Sequence, residues 1–326
     1  MRAFQIDETD GLGYEVVEVP TPLRGDGEVL VAVEWSGVNY KDAMVAEAGS
    51  RVRRTSRLIG GVDAAGVVVA SDDPDLPDGT SVAVHGGALG VARDGGFAQY
   101  VTAPRAWISP LPAGLTTHDA MAMGTAGLAA MASVLALEDR GDLDGEVLVT
   151  GATGGVGSIA VSLLAARGHR PVASTGSPSA AEWLRTRGAT RVIGRDDVAD
   201  RPDRVLGTPQ WVGAIDCVGS TTLAGILRSL SYGAAVAASG LVAGPELATT
   251  VYPFITRNVA LLGIDVVEAP PAARERLWRE LATTVARIDV AALVERTIGL
   301  ADLPATLDDL RAGTVRGRIL VDPAAH

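Results

Sequence analysis

Residues 146–158 constrain this chain more than any other stretch. The apolar run Glu146-Val147-Leu148-Val149-Thr150 leads straight into Gly151-Ala152-Thr153-Gly154-Gly155-Val156-Gly157-Ser158, and a helix-forming segment runs on from Val156 to Arg167. Strand, glycine-rich turn and helix in that order open a βαβ unit that binds a dinucleotide. On the G-x-G-x-x-G spacing the three glycine positions fall on Ala152, Gly154 and Gly157, so the first departs to alanine. Gly154 would let the backbone approach a pyrophosphate, and Gly157 would let the new helix pack closely on its strand. The pyrophosphate would then sit on unpaired N–H groups at the positive end of the helix dipole.

A second position sorts the nucleotide. An NAD site wants a carboxylate on the ribose 2′-hydroxyl about 20 residues past the loop. Here the strand Arg170–Ser174 runs into Thr175-Gly176-Ser177-Pro178, with no carboxylate before Glu182. Small hydroxyls suit a 2′-phosphate, and Arg195 could add a charge-assisted contact. The residues therefore favour NADPH, although Arg195 also reads as a solvated surface arginine.

Around this loop the pattern alternates. Arg170–Ser174 and Arg191–Ile193 read as strands about a helix at Ala180–Arg187. Trp211–Asp216, Ala234–Ser239 and Val259–Ile264 read as further strands, with a helix at Thr221–Leu230. That order predicts a parallel, doubly wound sheet. Short apolar runs (Val29–Val33, Gly66–Ala70, Val82–Val84) between turn clusters make the first 120 residues β-rich. Thr116 or Thr117 caps a long Ala/Met/Leu helix reaching about Glu138, with Gly124 and Gly127 as its only breakers. The tail predicts helices at Pro271–Ile288 and Pro304–Arg311 and a strand at Arg318–Val321. We therefore expect a β-rich domain over 1–120, a nucleotide-binding domain over 121–266, and a tail, 267–326, that completes the first.

Composition removes several classes. The chain is 47% hydrophobic and 21% charged, as a folded globular protein is. Its net charge of −11 argues against nucleic acid and anionic membranes, both of which need a cationic face. The N-terminus lacks the apolar core of a signal peptide, and no run of about 18 apolar residues stands out, so a cytoplasmic protein is expected. Cys217 is the only cysteine, at the end of an apolar strand, and reads as a small buried filler. His85, His118, His169 and His326 show no metal-ligand spacing, and no G-x-S-x-G elbow is present. Lys41 is the single lysine; every other basic side chain is an arginine or a histidine.

Beyond the loop, the segments Ser36-Gly37-Val38-Asn39-Tyr40-Lys41-Asp42, Gly95-Gly96-Phe97-Ala98-Gln99-Tyr100 and Trp107–Pro112 carry a wider pattern. So do Ala122-Met123-Gly124-Thr125-Ala126-Gly127, Pro253-Phe254-Ile255-Thr256-Arg257-Asn258-Val259 and the closing Leu303-Pro304-Ala305 and Arg316-Gly317-Arg318-Ile319. Together they resemble the medium-chain dehydrogenase/reductase superfamily. Its zinc alcohol dehydrogenase branch carries Gly-Val-Cys and Gly-His-Glu where this chain has Gly37-Val38-Asn39 and Gly61-Val62-Asp63. The chain is thus similar to the zinc-free quinone oxidoreductase branch, and within it to the acrylyl-CoA reductase-like subfamily.

The resemblance implies an α/β protein with a GroES-like β-rich catalytic domain and a doubly wound Rossmann NAD(P)-binding domain, assembled as a homodimer. It implies NADPH-dependent, metal-independent reduction of an activated C=C bond, typically in a 2-enoyl-CoA such as acrylyl-CoA. Cofactor contacts would come from Tyr40, Thr153, Gly154, Gly155, Val156 and Gly157. Ser174, Thr175, Gly176 and Arg195 would meet the adenosine end, and Leu241, Ile255 and Val266 the nicotinamide half. Two departures stand out: Ser177 where the subfamily often has arginine, and Arg93-Asp94 where relatives tend to be aromatic or His-rich.

Hydride addition to the β-carbon leaves an enolate, so a group that donates to the developing oxyanion is needed. Tyr40 is the candidate donor, or a wall beside the nicotinamide. Lys41 would hold Asp42 or Asp63 in an ion pair, and Asn39 would bind ribose, carboxamide or substrate carbonyl. Alternatively, Asn39–Asp42 is a helix-start cap. Three other functions stay open: a general quinone or enone reductase, an enoyl reductase for carrier-bound chains, and a non-enzymatic NADPH-binding sensor.

Overall fold

The structure is a computed structural model, which describes residues 1–198 and 205–325; His326 lies outside the described residues. In chain order come β1 (Arg2–Asp7), β2 (Gly13–Glu18), β3 (Glu28–Val38), α1 (Tyr40–Val45), β4 (Arg57–Ile59), β5 (Asp63–Ala70), β6 (Ser81–His85), β7 (Tyr100–Pro104), β8 (Ile108–Pro110) and α2 (Thr117–Glu138). Next are β9 (Glu146–Val149), α3 (Gly155–Ala166), β10 (Arg170–Thr175), α4 (Ala181–Arg185), β11 (Arg191–Gly194), β12 (Gly213–Asp216), α5 (Ser220–Ser229), β13 (Ala235–Ala238), α6 (Tyr252–Arg257) and β14 (Ala260–Gly263). The tail adds α7 (Pro271–Val285), β15 (Val294–Ile298), α8 (Leu303–Ala312) and β16 (Arg318–Val321).

These elements divide into two units. One comprises residues 1–125, 266–282 and 290–326, and the other 126–265 and 283–289. In the first, a sheet of order β2-β1-β4 accompanies a larger one of order β15-β16-β3-β5-β6-β8, with β7 also on β3. Strand β3 explains why the alternating run at Val29–Val33 folds as it does. Val29, Val31 and Val33 bury one face of the pleat against Val68, Val82, Val84 and Val101. Antiparallel pairing of β16 with β3 sets Val321 opposite Ser36, Leu320 opposite Gly37 and Ile319 opposite Val38. The last strand thereby lies along the end of β3 that leads into α1.

The second unit holds a six-stranded parallel sheet of order β11-β10-β9-β12-β13-β14. Its central strands β9, β12 and β13 are short and mostly apolar because they are buried on both faces, whereas the edge strands β11 and β14 are partly exposed. Leu148, Val172, Ala214 and Val236 form the core with Ile226 and Leu227 of α5. The strand order changes direction between β9 and β12, which is where doubly wound sheets bind their ligands. The glycine-rich turn follows β9, on the carboxyl side of that switch.

Helix α2 decides between the two caps the sequence offered and departs from the sequence reading in its continuity and its apolar length. Of the two candidate caps it is Thr116 whose Oγ1 accepts the N–H of Asp119, at 3.0 Å. The helix is also not continuous, because Gly124 has φ 52° and ψ −157°. That conformation is open essentially to glycine alone. Contrary to the expectation that no stretch is long and apolar enough to cross a bilayer, α2 is so by length and composition. However, 83% of its apolar window is buried, as in the core helix of a globular protein.

Gly124 also has no room for a side chain, since a Cβ there would lie 2.7 Å from Asp63 Oδ2. Gly124→Ala should therefore lower unfolding stability by about 1–3 kcal/mol, read from urea melts. An unchanged midpoint would mean that the kink can relax.

Candidate cofactor and active site

The nucleotide elements are built at the carboxyl end of the parallel sheet. Gly151, at φ 59°, makes the tight turn that the motif spacing had placed at Ala152, and Ala152 is fully buried. A Cβ on Gly157 would come within 2.4 Å of the Gly151 carbonyl oxygen, so α3 meets the turn at a distance only glycine allows. Gly154 precedes α3 as its exposed N-cap, with Thr153 partly exposed before it and Gly155 and Val156 in the first turn. The first turn of α3 holds no acidic side chain. Its N–H groups can therefore take an anion without electrostatic competition.

At the neighbouring strand end, Ser174 and Thr175 are buried. Ser174 Oγ donates to the Gly194 carbonyl at 3.4 Å, and Thr175 Oγ1 accepts the Ser177 N–H at 3.0 Å. Their hydroxyls thus also shape the strand end. Arg195 is exposed, and its guanidinium covers Gly176 so closely that a Cβ there would lie 2.3 Å from Nη2. Glycine at 176 leaves room for the Arg195 guanidinium to lie over the end of β10.

One residue that the sequence reading missed supports this end of the sheet. Asp216, fully buried at the end of β12, accepts from Thr150 Oγ1 at 2.6 Å and from the Gly219 N–H at 2.8 Å. Burial raises its pKa. The signal was an acid closing an apolar strand before a glycine. Leu241 is 52% and Ile255 72% exposed, so both can face a ligand, whereas Val266 is buried.

In the other unit, Asn39, Tyr40 and Lys41 form the start of α1. Tyr40 is 42% exposed. Asn39 is buried and engaged at both ends of its amide: Nδ2 donates to Asp63 Oδ2 at 2.8 Å and to the Gly37 carbonyl at 3.2 Å, while Oδ1 accepts from Arg318 Nη1 at 3.1 Å. Its amide is thus held by protein groups rather than presented to ribose, carboxamide or substrate. The helix-start reading has a direct counterpart, because Asp42 Oδ2 accepts the Asn39 N–H at 2.7 Å.

The ion pair expected of Lys41 is not formed. The cation beside Asp63 is Arg318, whose Nη2 lies 4.0 Å from Oδ2, and Lys41 has no hydrogen bond or ion pair among the described residues. Asp63 is fully buried and accepts both the N–H and the hydroxyl of Thr125, at 2.9 and 2.6 Å. Asp42 lies close by, its Oδ1 accepting the Val62 N–H at 2.9 Å. Burial and the charge of Asp63 push Asp42 up to about 7, against the pull of its two backbone N–H donors.

His85 faces Asp63 across the β5–β6 pair and is buried. Trp278 Nε1 donates to its Nε2 at 3.3 Å, so Nε2 carries no proton. Among the described residues no group of three His, Cys, Asp or Glu side chains is placed to hold a metal ion.

Comparison with known proteins places these features in context. Residues 25–113 match the family described as Alcohol dehydrogenase GroES-like domain, and residues 155–283 that described as Zinc-binding dehydrogenase. YhfP of Bacillus subtilis, provisionally named a quinone oxidoreductase, is 45% identical over 98% of each chain. Its crystal structure with NAD bound superposes with a TM-score of 0.95 over 98% of each chain, at 43% identity. Acrylyl-CoA reductase AcuI of Ruegeria pomeroyi is 44% identical over 91% of this chain and 90% of its own. The yhdH oxidoreductase of Salmonella enterica in complex with NADP superposes with a TM-score of 0.93 over 99% of each chain, at 41% identity.

Burial holds the His85 pKa down to about 4. Protonation therefore favours the unfolded chain, and stability from this group is lost as pH falls through the ordinary histidine range toward 4. Asp42 acts with the opposite sign, its contribution being lost as pH rises toward 7. Direct NMR titration separates the two: the His85 ring resonances should stay neutral from pH 8 to about 5. A His85 midpoint at the ordinary value of about 6.5 would contradict its desolvation.

Proposed function

Because the chain belongs to the medium-chain dehydrogenase/reductase superfamily, in its acrylyl-CoA reductase-like subfamily, we propose that it reduces the activated C=C bond of a 2-enoyl-CoA such as acrylyl-CoA. It is an NADPH-dependent oxidoreductase. The observation that carries the cofactor assignment is the seat of Gly157 on Gly151 together with Arg195 over Gly176. When bound, NADPH would supply hydride to the β-carbon of the substrate, leaving NADP⁺ and an enolate whose α-carbon then takes up a proton.

The residues of this chain divide the remaining work. Gly154–Gly157 bind the pyrophosphate, and Ser174, Thr175, Gly176 and Arg195 hold the phosphorylated ribose. Leu241 and Ile255 supply apolar walls. Tyr40 donates a hydrogen bond to the oxygen on which negative charge develops. Lys41, beside it in α1, presents an ammonium that forms no ion pair among the described residues. Reduction of quinones is the second reading, favoured by the name given to YhfP. A homodimer through β14 is supported by its place at the sheet edge and by exposed Leu261.

NADPH consumption across a panel of enoyl-CoAs and quinones tests the substrate. Acrylyl- or crotonyl-CoA should turn over with the highest kcat/KM, and a higher value for benzoquinone would overturn the CoA reading. Tyr40→Phe should cut kcat/KM by about a hundredfold, the worth of one oxyanion donor. An unchanged value would remove the hydroxyl from the chemistry. Light scattering should give twice the 33.4 kDa chain mass, and a single-chain mass would reject the dimer.

A further inference from the structure

We propose that Asp63, held beside Arg318, is a positioning residue for Tyr40; this rests on the reading of Tyr40 as the hydrogen-bond donor. Three observations converge on it. First, Asp63 is fully buried and reaches α1 through one side chain: its Oδ2 accepts from Asn39 Nδ2, one residue before Tyr40. Second, Arg318 fixes the same residue from the other side. Its Nη1 donates to Asn39 Oδ1 and to the Val38 carbonyl, both at 3.1 Å, and its Nε donates to the Ala122 carbonyl at 3.2 Å. Third, the backbone makes room for the pair. A Cβ on Gly37 would lie 2.8 Å from Arg318 Nη2, and one on Gly124 2.7 Å from Asp63 Oδ2 and 3.0 Å from that same Nη2.

The physical logic favours geometry over stability. A buried ion pair returns little net stability once its desolvation is counted, and its use lies in fixing one arrangement. Here that arrangement has a specific product. The peptide bond before Asn39 is pinned at both polar atoms, its Val38 carbonyl by Arg318 and its Asn39 N–H by Asp42. The side-chain amide of Asn39 is clamped by Asp63 and Arg318. Tyr40, the first residue of α1, is therefore presented from a fixed backbone while its ring stays exposed. Both Asp63 oxygens serve the network: Oδ2 accepts from Asn39 and the Thr125 N–H, and Oδ1 from the Thr125 hydroxyl.

The test uses the full chain with Asp63→Asn, Tyr40→Phe and both together. Three readouts are needed: the NADPH Kd, kcat and KM for crotonyl-CoA, and hydrogen exchange in peptides covering residues 39–45. Asp63→Asn should leave the NADPH Kd within about twofold and KM within about threefold, yet lower kcat about tenfold or more, as a small misplacement does. Exchange over 39–45 should rise about tenfold, and the double variant should be no slower than Tyr40→Phe, since the two act as a unit. Unchanged exchange, unchanged kcat, or losses that multiply in the double variant would each overturn the proposal. If Asp63→Asn does not melt cooperatively, Asn39→Ala, which removes only the connecting amide, is measured in the same way. Should the parent chain fail to oxidise NADPH with every enoyl-CoA and quinone of the panel, the functional reading fails by itself, and exchange over 39–45 alone then decides the positioning.

Discussion

Helix α3 can start where it does only because Gly157 rests against the Gly151 carbonyl, at a distance that any side chain would forbid. That approach fixes the direction of the helix, and with it the direction of its unpaired N–H groups. The parallel sheet supplies the rest. β9 and β12 lie side by side where the strand order turns, and Asp216 ties their ends through Thr150. An anion-binding surface follows from backbone placement, with side chains needed only at its rim. Arg195 is that rim, brought over the end of β10 by a glycine at 176.

The β-rich unit works on the opposite principle. The segment we propose to bear its chemistry, Asn39–Asp42, is the cap and first turn of a six-residue helix, too short to hold a conformation on local propensity alone. Polar side chains hold it instead: buried Asp63 and Arg318 and half-buried Thr125, with Asp42 closing the helix start. Where metal-dependent relatives in the superfamily carry cysteine and histidine, this chain carries Asn39 and Val62, and the polar groups around them are joined to one another by hydrogen bonds. Directed bonds between protein groups thus hold the loop's shape.

Much of the sheet was legible because parallel strands buried on both faces are written as short, unbroken apolar runs. β9, β12 and β13 each lie within a stretch the sequence marks, as does the turn before α3, and β10 runs one residue past its own. Other elements leave weaker marks. β1 and β2 are a partly exposed antiparallel pair without a clean apolar run, and α6 is a single short helix begun by Pro253 and ended by left-handed Asn258. The break in α2 was out of reach for a different reason. Gly124 is visible in the sequence, but its conformation is coupled to Asp63, which lies in another strand, so no local periodicity reports it. The same holds for the pairing of Asp63 with Arg318 rather than with Lys41: β5 and β16 are brought to β3 only by the folded sheet. Spacing arguments see neighbours along the chain, and this network is made of neighbours across it.

Calorimetric titration of the parent chain and of Arg195→Ala with NADPH and NADH probes the nucleotide site most directly. The account expects one NADPH per chain, bound about tenfold or more tightly than NADH, with that margin collapsing once the guanidinium over Gly176 is gone. No heat with either nucleotide, or a margin untouched by Arg195→Ala, would contradict it.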